Sequence, residues 1–480
     1  MSNKMFSSFL WKFLERTSTQ IINLVIQIIL ARLISPEKFG ELAILIVFVN
    51  IANIFVQKGF SSSLIRKKEI SDADCNTVFT VGFIVSLVLY VIIYLLAPVI
   101  AKVYNSPDLG SNLRVISIQL FFSAVYCVQN AILVREMKFR TIFFRGFIAT
   151  VMAGLTGIGL AYKNYGLPAL VAQSLLNQIL LCVTAWFAVK WRPRFCFYKK
   201  NFAEIFSFGS KILLSEILSY FVESLRTLVI GKKYSETDLS YYDRGQTYPA
   251  TLMRGVYDTL AGVLLPHFSK EQDENESLSQ DLLNSVSVSM FIITPVFIGM
   301  AAVGPVLIPL LLTEVWIEAI PYFMIFCVYQ IPFPIQGILR QAIYAKGQGT
   351  YVLKIEIIKS IISLVALLVA LPFGVMPIAI SAVAAMYITT GVSYFYTKRL
   401  ITLSVKQIFS GTWKTFSSCI IMFVVVYAMN GIVLNKVVLL LCQVFVGILM
   451  YLLLSLMMHN EILFGFLNKV FADKKIKLKN

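Results

Sequence analysis

The sequence predicts an all-α integral membrane protein of about fourteen transmembrane helices. The expected plan is two six-helix lobes related by a pseudo-two-fold along the membrane normal, two further C-terminal helices, and a central cavity. Three observations predict it. Apolar runs of roughly 20 residues recur along the whole chain, each long enough to span a bilayer. Lysines and arginines concentrate in alternate loops. The first two helices have weak counterparts 200 residues further on.

The composition fits the first point. The 480 residues are 58% hydrophobic and 14% charged, with a mean hydropathy of +0.78. A soluble domain carries roughly 25% charged residues. The first run carries charges, is too long for a signal peptide, and has no small-residue cleavage site after it. The expected spans are 9–34, 38–59, 76–100, 112–134, 142–162, 167–189, 204–231, 240–265, 283–311, 317–343, 353–371, 375–397, 409–430 and 437–457. They divide into an N-lobe (1–190), a cytoplasmic linker (191–203), a C-lobe (204–399) and a last pair of helices with a basic tail (400–480).

The net charge of +17 does not indicate nucleic acid. With fourteen spans, 25 cations fall on one side, including Arg66, Lys67, Arg135, Arg192, Lys200, Lys346 and the tail "KKIKLKN". Only seven fall on the other: Lys38, Lys102, Arg114, Lys163, Lys232, Lys233 and Lys436. The positive-inside rule then puts both termini in the cytoplasm. Seven scattered cysteines and two histidines, His267 and His459, give no metal, haem or disulfide pattern. Neither a P-loop, a nucleophile elbow nor an HExxH motif is present, and the loops hold no catalytic constellation, so the reading is not an enzyme.

The repeat sets "ARLISPEKFGELA" (31–43) over "GKKYSETDLSYYD" (231–243), and Gln129 over Gln336 at a slightly longer offset. Parallel repeats of this kind place a substrate between two lobes. Gly154, Gly157 and Gly159 are small-residue packing sites, open to use within one chain or between two. Pro295, Pro332 and Pro334 are expected to break helical hydrogen bonds.

Four helices carry polar stripes at helical spacing. Lys12, Arg16, Gln20, Asn23 and Gln27 share one face of the first. Asn50, Asn53 and Gln57 share a face of the second, and Glu216, Ser219, Glu223 and Arg226 one of the seventh. Arg244, Thr247, Thr251, Arg254 and Asp258 line the eighth. Charges at membrane depth cost several kcal/mol unless they face protein or water. The simplest common account is an aqueous cavity, with Arg226 and Arg254 its deepest cations. The bland account is that Lys12 and Arg16 snorkel, the amides bond a neighbouring helix and Arg244 is interfacial. Five stripe cations against three acids suit an anionic group such as a diphosphate, and the hydroxyls and amides suit sugars. Glu223 and Asp258 are the candidates for proton or Na⁺ coupling.

The stretches "ARLISPEKFGELAI", "KGFSSSLIRKKEISDADCNTVF", "APVIAKVYNSPDLGSNLRVIS", "ILVREMKFR" and "VLLPHFSKEQDE" resemble the Wzx-type flippases for polysaccharide and O-antigen repeat units. The likeness is to the branch of colanic-acid and teichuronic-acid exporters, within the multidrug/oligosaccharidyl-lipid/polysaccharide exporter superfamily. It covers roughly residues 10–400, in order. It implies a bacterial inner-membrane protein that turns an undecaprenyl-diphosphate-linked oligosaccharide to the outer leaflet, working beside polymerase and export machinery. It also implies two rocking lobes with the first, second, seventh and eighth helices prominent in the cavity, and no bound cofactor. Relatives tend to carry an acid before "LIIG"; this chain has Arg226 before "TLVIG", which puts a carried-over proton role in doubt. The competing readings are a multidrug antiporter, for which an acid-dominated cavity is expected, and a lipid II flippase, whose cargo is also a diphosphate.

Overall fold

Backbone amides in hydrocarbon have no water to bond, so apolar runs of this length close their hydrogen bonds internally as helices. A computed structural model describes residues 3–67, 70–271, 274–465 and 468, and it is helical nearly throughout, with no strand among the described residues. The tail "KKIKLKN" and the side chains of Lys12, Arg16, Ser219 and Asp258 lie outside what is described.

Contacts divide the chain into two compact units, Met1–Asp243 and Arg244–Asn480. The first contains α1 (Asn3–Leu33), α2 (Pro36–Asn53), a π-helical turn (Ile54–Lys58), α3 (Gly59–Arg66), α4 (Asp72–Tyr104), α5 (Pro107–Ser117), α6 (Gln119–Arg135), α7 (Phe139–Tyr162), α8 (Leu167–Ala188) and α9 (Lys199–Lys233). Helix α10 (Glu236–Lys270) begins in this unit and continues into the second. The second goes on with α11 (Asn275–Leu312), α12 (Ala319–Gln330), α13 (Phe333–Ala345), α14 (Gly349–Ala370), α15 (Val375–Lys398), α16 (Val405–Ala428) and α17 (Lys436–Met457).

Ten spans among the described residues are long and apolar enough to cross a membrane. Helix α14 is not among them, because Lys354, Glu356 and Lys359 crowd its first half. The second expected span proves to be three pieces, α2, the π turn and α3. The fourth breaks at Ile118 into α5 and α6, and the tenth breaks at Ile331–Pro332 into α12 and α13. Helix α11 continues through Pro295, Pro305 and Pro309, so the hydrogen bond that Pro295 cannot donate is lost without ending the helix. Neighbouring helices and local adjustment can satisfy the carbonyls that a membrane proline frees.

In the first unit, α1 packs along α7 and α7 along α8. A Cβ at Gly154 would lie 2.2 Å from Ile26 Cδ1, and one at Gly157 would lie 2.9 Å from Gln173 Cβ. Both glycines are therefore used inside the chain, whereas Gly159 faces open space. A second core gathers Leu64, Cys75, Val78, Phe79, Cys127, Val128 and Trp191 where α3, α4 and α6 meet. The start of α4 is fixed by a capping box: Ser71 Oγ accepts from the Asp74 amide and the Ser71 amide donates to Asp74 Oδ2. Buried Asp74 also pairs with Lys67 at 2.8 Å.

The segment between α8 and α9 lies along α4. The Arg194 amide donates to Asn76 Oδ1 (3.2 Å), the Cys196 amide to Thr80 Oγ1 (3.1 Å) and the Tyr198 amide to Thr77 Oγ1 (3.3 Å). Helix α9 then packs on α2, α3 and α4 of the same unit. Tyr104 hydroxyl donates to the Leu228 carbonyl at 3.1 Å, and Lys232 Nζ donates to the carbonyl of Val103.

The helix boundaries repeat the 200-residue offset. Helix α1 ends at Leu33 and α2 starts at Pro36, while α9 ends at Lys233 and α10 starts at Glu236. The two turns meet at Gly40, where an added Cβ would sit 1.8 Å from the Glu236 carbonyl oxygen. Backbone cannot yield as a long side chain can, so only glycine fits.

In the second unit, the two C-terminal helices pack on α11. Tyr451 hydroxyl donates to the Phe291 carbonyl at 2.7 Å, within a core of Phe291, Ala302, Cys419, Met422 and Val426. Gln336 of α13 donates to Thr389 Oγ1 (2.9 Å) and Thr390 Oγ1 (3.0 Å) of α15.

Replacing Gly40 with Val is expected to cost about 1–3 kcal/mol or more through overpacking. Fluorescence-detected gel filtration after a heating series checks this; a midpoint unchanged from wild type would contradict the contact.

Candidate functional site

Helix α1 presents Gln20 half-buried, Asn23 exposed and Gln27 half-buried, while Ile26 turns to Gly154 of α7. By helical spacing the stripe runs beside the packed glycine seam, since Asn23 is three residues before Ile26 and about 60° round the helix from it.

On α2 the three amides are tied to their surroundings. Asn50 Nδ2 donates to Tyr220 hydroxyl of α9 at 3.0 Å. Tyr220 is also hydrogen-bonded with Ser224, which is buried one turn further along α9. Asn53 and Gln57 are half-buried and approach each other at 3.5 Å, the outer limit of a hydrogen bond. Gln57 sits inside the π turn, and its carbonyl accepts from Cys127 Sγ of α6. A π turn adds a residue to one turn and re-aims the face that follows; such turns are frequent at functional sites.

On α9, Glu216 and Glu223 are exposed and Arg226 is half-buried. On α10, Arg244 is buried at 6% exposure. Helix α12 comes close beside it: a Cβ at neighbouring Gly245 would lie 2.6 Å from Tyr322 Cβ and 2.8 Å from the Phe323 amide nitrogen. Thr247 is half-buried, its carbonyl accepts from Thr251 Oγ1 at 2.8 Å, and Arg254 is exposed. By burial, then, Arg244 is the most enclosed stripe cation described, and Arg254 the most open.

Within the first unit the stripes of α2 and α9 are brought together through Asn50 and Tyr220. Arg244 and Arg254 belong to the second unit. Sequence reasoning missed Tyr220, which lies between the counted stripe positions 219 and 223, and the π turn, for which no residue signal stands out. It also missed Glu41, buried at 3% exposure near the start of α2. Glu41 Oε1 accepts from Lys38 Nζ (3.0 Å) and Ser106 Oγ (2.8 Å), which ties the start of α2 to the turn before α5. Lys38, a cation expected in an outward loop, also reaches Asp108 at 3.7 Å and so serves this network too.

The fold is that of transporters. It matches the lipid II flippase MurJ in an inward closed conformation with a TM-score of 0.77, at 17% identity over 95% of this chain and 99% of that one. It matches an inward-facing MATE-family multidrug resistance transporter of the MOP superfamily with a TM-score of 0.62, at 16% identity over 81% of this chain and 98% of that one.

The chain itself belongs to the polysaccharide biosynthesis protein family, whose model matches residues 29–321. It is 25% identical to the lipopolysaccharide biosynthesis protein WzxC of Escherichia coli, over 86% of this chain and 85% of the relative. It is 22% identical to the teichuronic acid biosynthesis protein TuaB of Bacillus subtilis, over 62% of each. The teichuronic acid relative meets the expected branch, and the protein is a multi-pass membrane protein.

Asn50→Ala and Tyr220→Phe, alone and combined, are expected to show a coupling of about 0.6 kcal/mol, the size of a typical interhelical hydrogen bond in membranes. A double-mutant cycle on reversible unfolding in mixed micelles measures it; strict additivity would mean the bond contributes nothing.

Proposed function

We propose that the protein is a flippase that moves an undecaprenyl-diphosphate-linked oligosaccharide repeat unit from the cytoplasmic to the outer leaflet, for surface polysaccharide biosynthesis and export. Both termini lie in the cytoplasm in this reading, and the cycle is alternating access. One observation carries it above the rest. In a chain so apolar, amides and cations recur on one face of α1, α2, α9 and α10 in a flippase-like fold. An amide or guanidinium has no favourable place in hydrocarbon, so the parts of these faces that protein does not enclose are wet at some stage of the cycle. The names of the relatives supply the cargo class: lipopolysaccharide, succinoglycan and teichuronic acid biosynthesis.

In this mechanism Arg226, Arg244 and Arg254, with Lys12 and Arg16, meet the diphosphate, because guanidinium forks match phosphate oxygens in pairs. Gln20, Asn23, Asn53 and Gln57 meet sugar hydroxyls. Glu223 and Asp258 are the sites for a coupling proton or Na⁺. The multidrug reading is weaker, because the stripe cations outnumber the acids and a cationic drug asks for the reverse.

Deleting the gene should make one undecaprenyl-diphosphate oligosaccharide accumulate on the cytoplasmic side, with loss of the matching surface polymer, by mass spectrometry of lipid-linked sugars. Unchanged pools and polymer, with no second flippase expressed, would sink the reading. Arg226→Ala and Arg254→Ala should each lower translocation roughly 10-fold or more at matched protein levels, the loss expected for a charge-assisted bond of about 1.5–3 kcal/mol. Wild-type flux in both would remove them from the site.

A further inference from the structure

The stretch "VLLPHFSKEQDE" has no part in the stripes, yet it carries two members of a three-residue ligand set. His267 lies in the last turn of α10, and Glu271 follows four residues later, on the same side of a helical path. The chain then turns within a few residues into α11, whose second turn offers Asp281. Among the described residues this is the one cluster in which an imidazole and two carboxylates converge, with one donor atom of each lying within 4.8 Å of the others.

Its parts are held from outside the cluster. Phe268 beside His267, and Leu278 and Leu282 flanking Asp281, are fully buried, which fixes the facing ends of the two helices. Ser277 Oγ donates to Glu271 Oε2 at 2.9 Å. Lys346 Nζ donates to Asn275 Oδ1 at 2.7 Å, tying the first turn of α11 to the end of α13. His267 Nε2 stands 2.6 Å from Asp281 Oδ2, so these two donor atoms already face each other where a cation would bind. The His267 side chain is 49% exposed and Asp281 28%, which leaves an entry path.

We propose that His267 Nε2 and one carboxylate oxygen each from Glu271 and Asp281 bind a single divalent transition-metal ion of the zinc type. One imidazole and two carboxylates is a nitrogen–oxygen donor set that such ions favour. Metal–ligand bonds of about 2.0–2.2 Å require donor atoms to spread to roughly 3 Å or more, which small rotations of these accessible side chains allow. The metal takes the lone pair of Nε2 and displaces its proton, so proton and metal compete and binding weakens as pH falls. With neutral imidazole the three ligands carry two negative charges, which a divalent ion neutralises. Water completes the coordination. The ion clamps the α10–α11 turn at the opposite end of α10 from Arg244. This site does not rest on the flippase reading.

The test is calorimetric titration of ZnCl₂ into the chelator-stripped full-length protein in detergent, with CoCl₂ absorption as a second probe. One equivalent should bind saturably, and Co²⁺ should give visible bands of low-coordinate N/O ligation. His267→Gln and Asp281→Asn should each weaken binding at least 10-fold while eluting as the wild type does, and His459→Ala should leave it unchanged. No saturable binding by the wild type would overturn the site. So would undiminished binding by the doubly substituted protein, or complete displacement by equimolar Ca²⁺.

Discussion

A helix in hydrocarbon closes its own backbone hydrogen bonds, and every polar side chain on it must then find protein or water. The rest of the structure depends on that constraint. Where it is satisfied by protein, polar groups become fasteners: Gln336 holds α15, Asn50 holds α9, and Glu41 gathers Lys38 and Ser106. Where protein does not enclose them, as at Asn23, Glu223 and Arg254, the polar group has to be met by water or cargo. The same chemistry therefore yields both the fasteners and the open polar faces, and burial separates the two.

The division is not a clean one between stripes. Asn50 and Asn53 stand three residues apart on one face, yet Asn50 is engaged with Tyr220 while Asn53 reaches only the distant amide of Gln57. The π turn begins at Ile54, directly after Asn53, and contains Gln57, so the looser pair of amides straddles its start.

The helical rods were legible because each needs only local information: length, hydropathy and the charges at its ends. The 200-residue offset was legible for the same reason, and the turns at Leu33–Pro36 and Lys233–Glu236 keep it to the residue. What escaped was set by contact between distant segments. Arg244 is buried, and a Cβ at Gly245 beside it would meet Tyr322 of α12, a contact no local pattern announces. The count of two histidines likewise does not show that Glu271 and Asp281 come beside one of them.

The connection between α8 and α9 holds to α4 by giving backbone amides to the side chains of Asn76, Thr77 and Thr80. Donors of that kind are supplied by almost any amino acid. The identities of residues 194, 196 and 198 are thus weakly constrained by these hydrogen bonds, while Asn76, Thr77 and Thr80 carry the polar part of the docking. Its apolar part belongs to the connector, where Trp191 and Phe195 set their rings against Phe79. A substitution at Asn76, Thr77 or Thr80 that looks remote from the connector would loosen it, as would loss of either ring, whereas a change at 194, 196 or 198, other than to proline, would leave the amide donors in place.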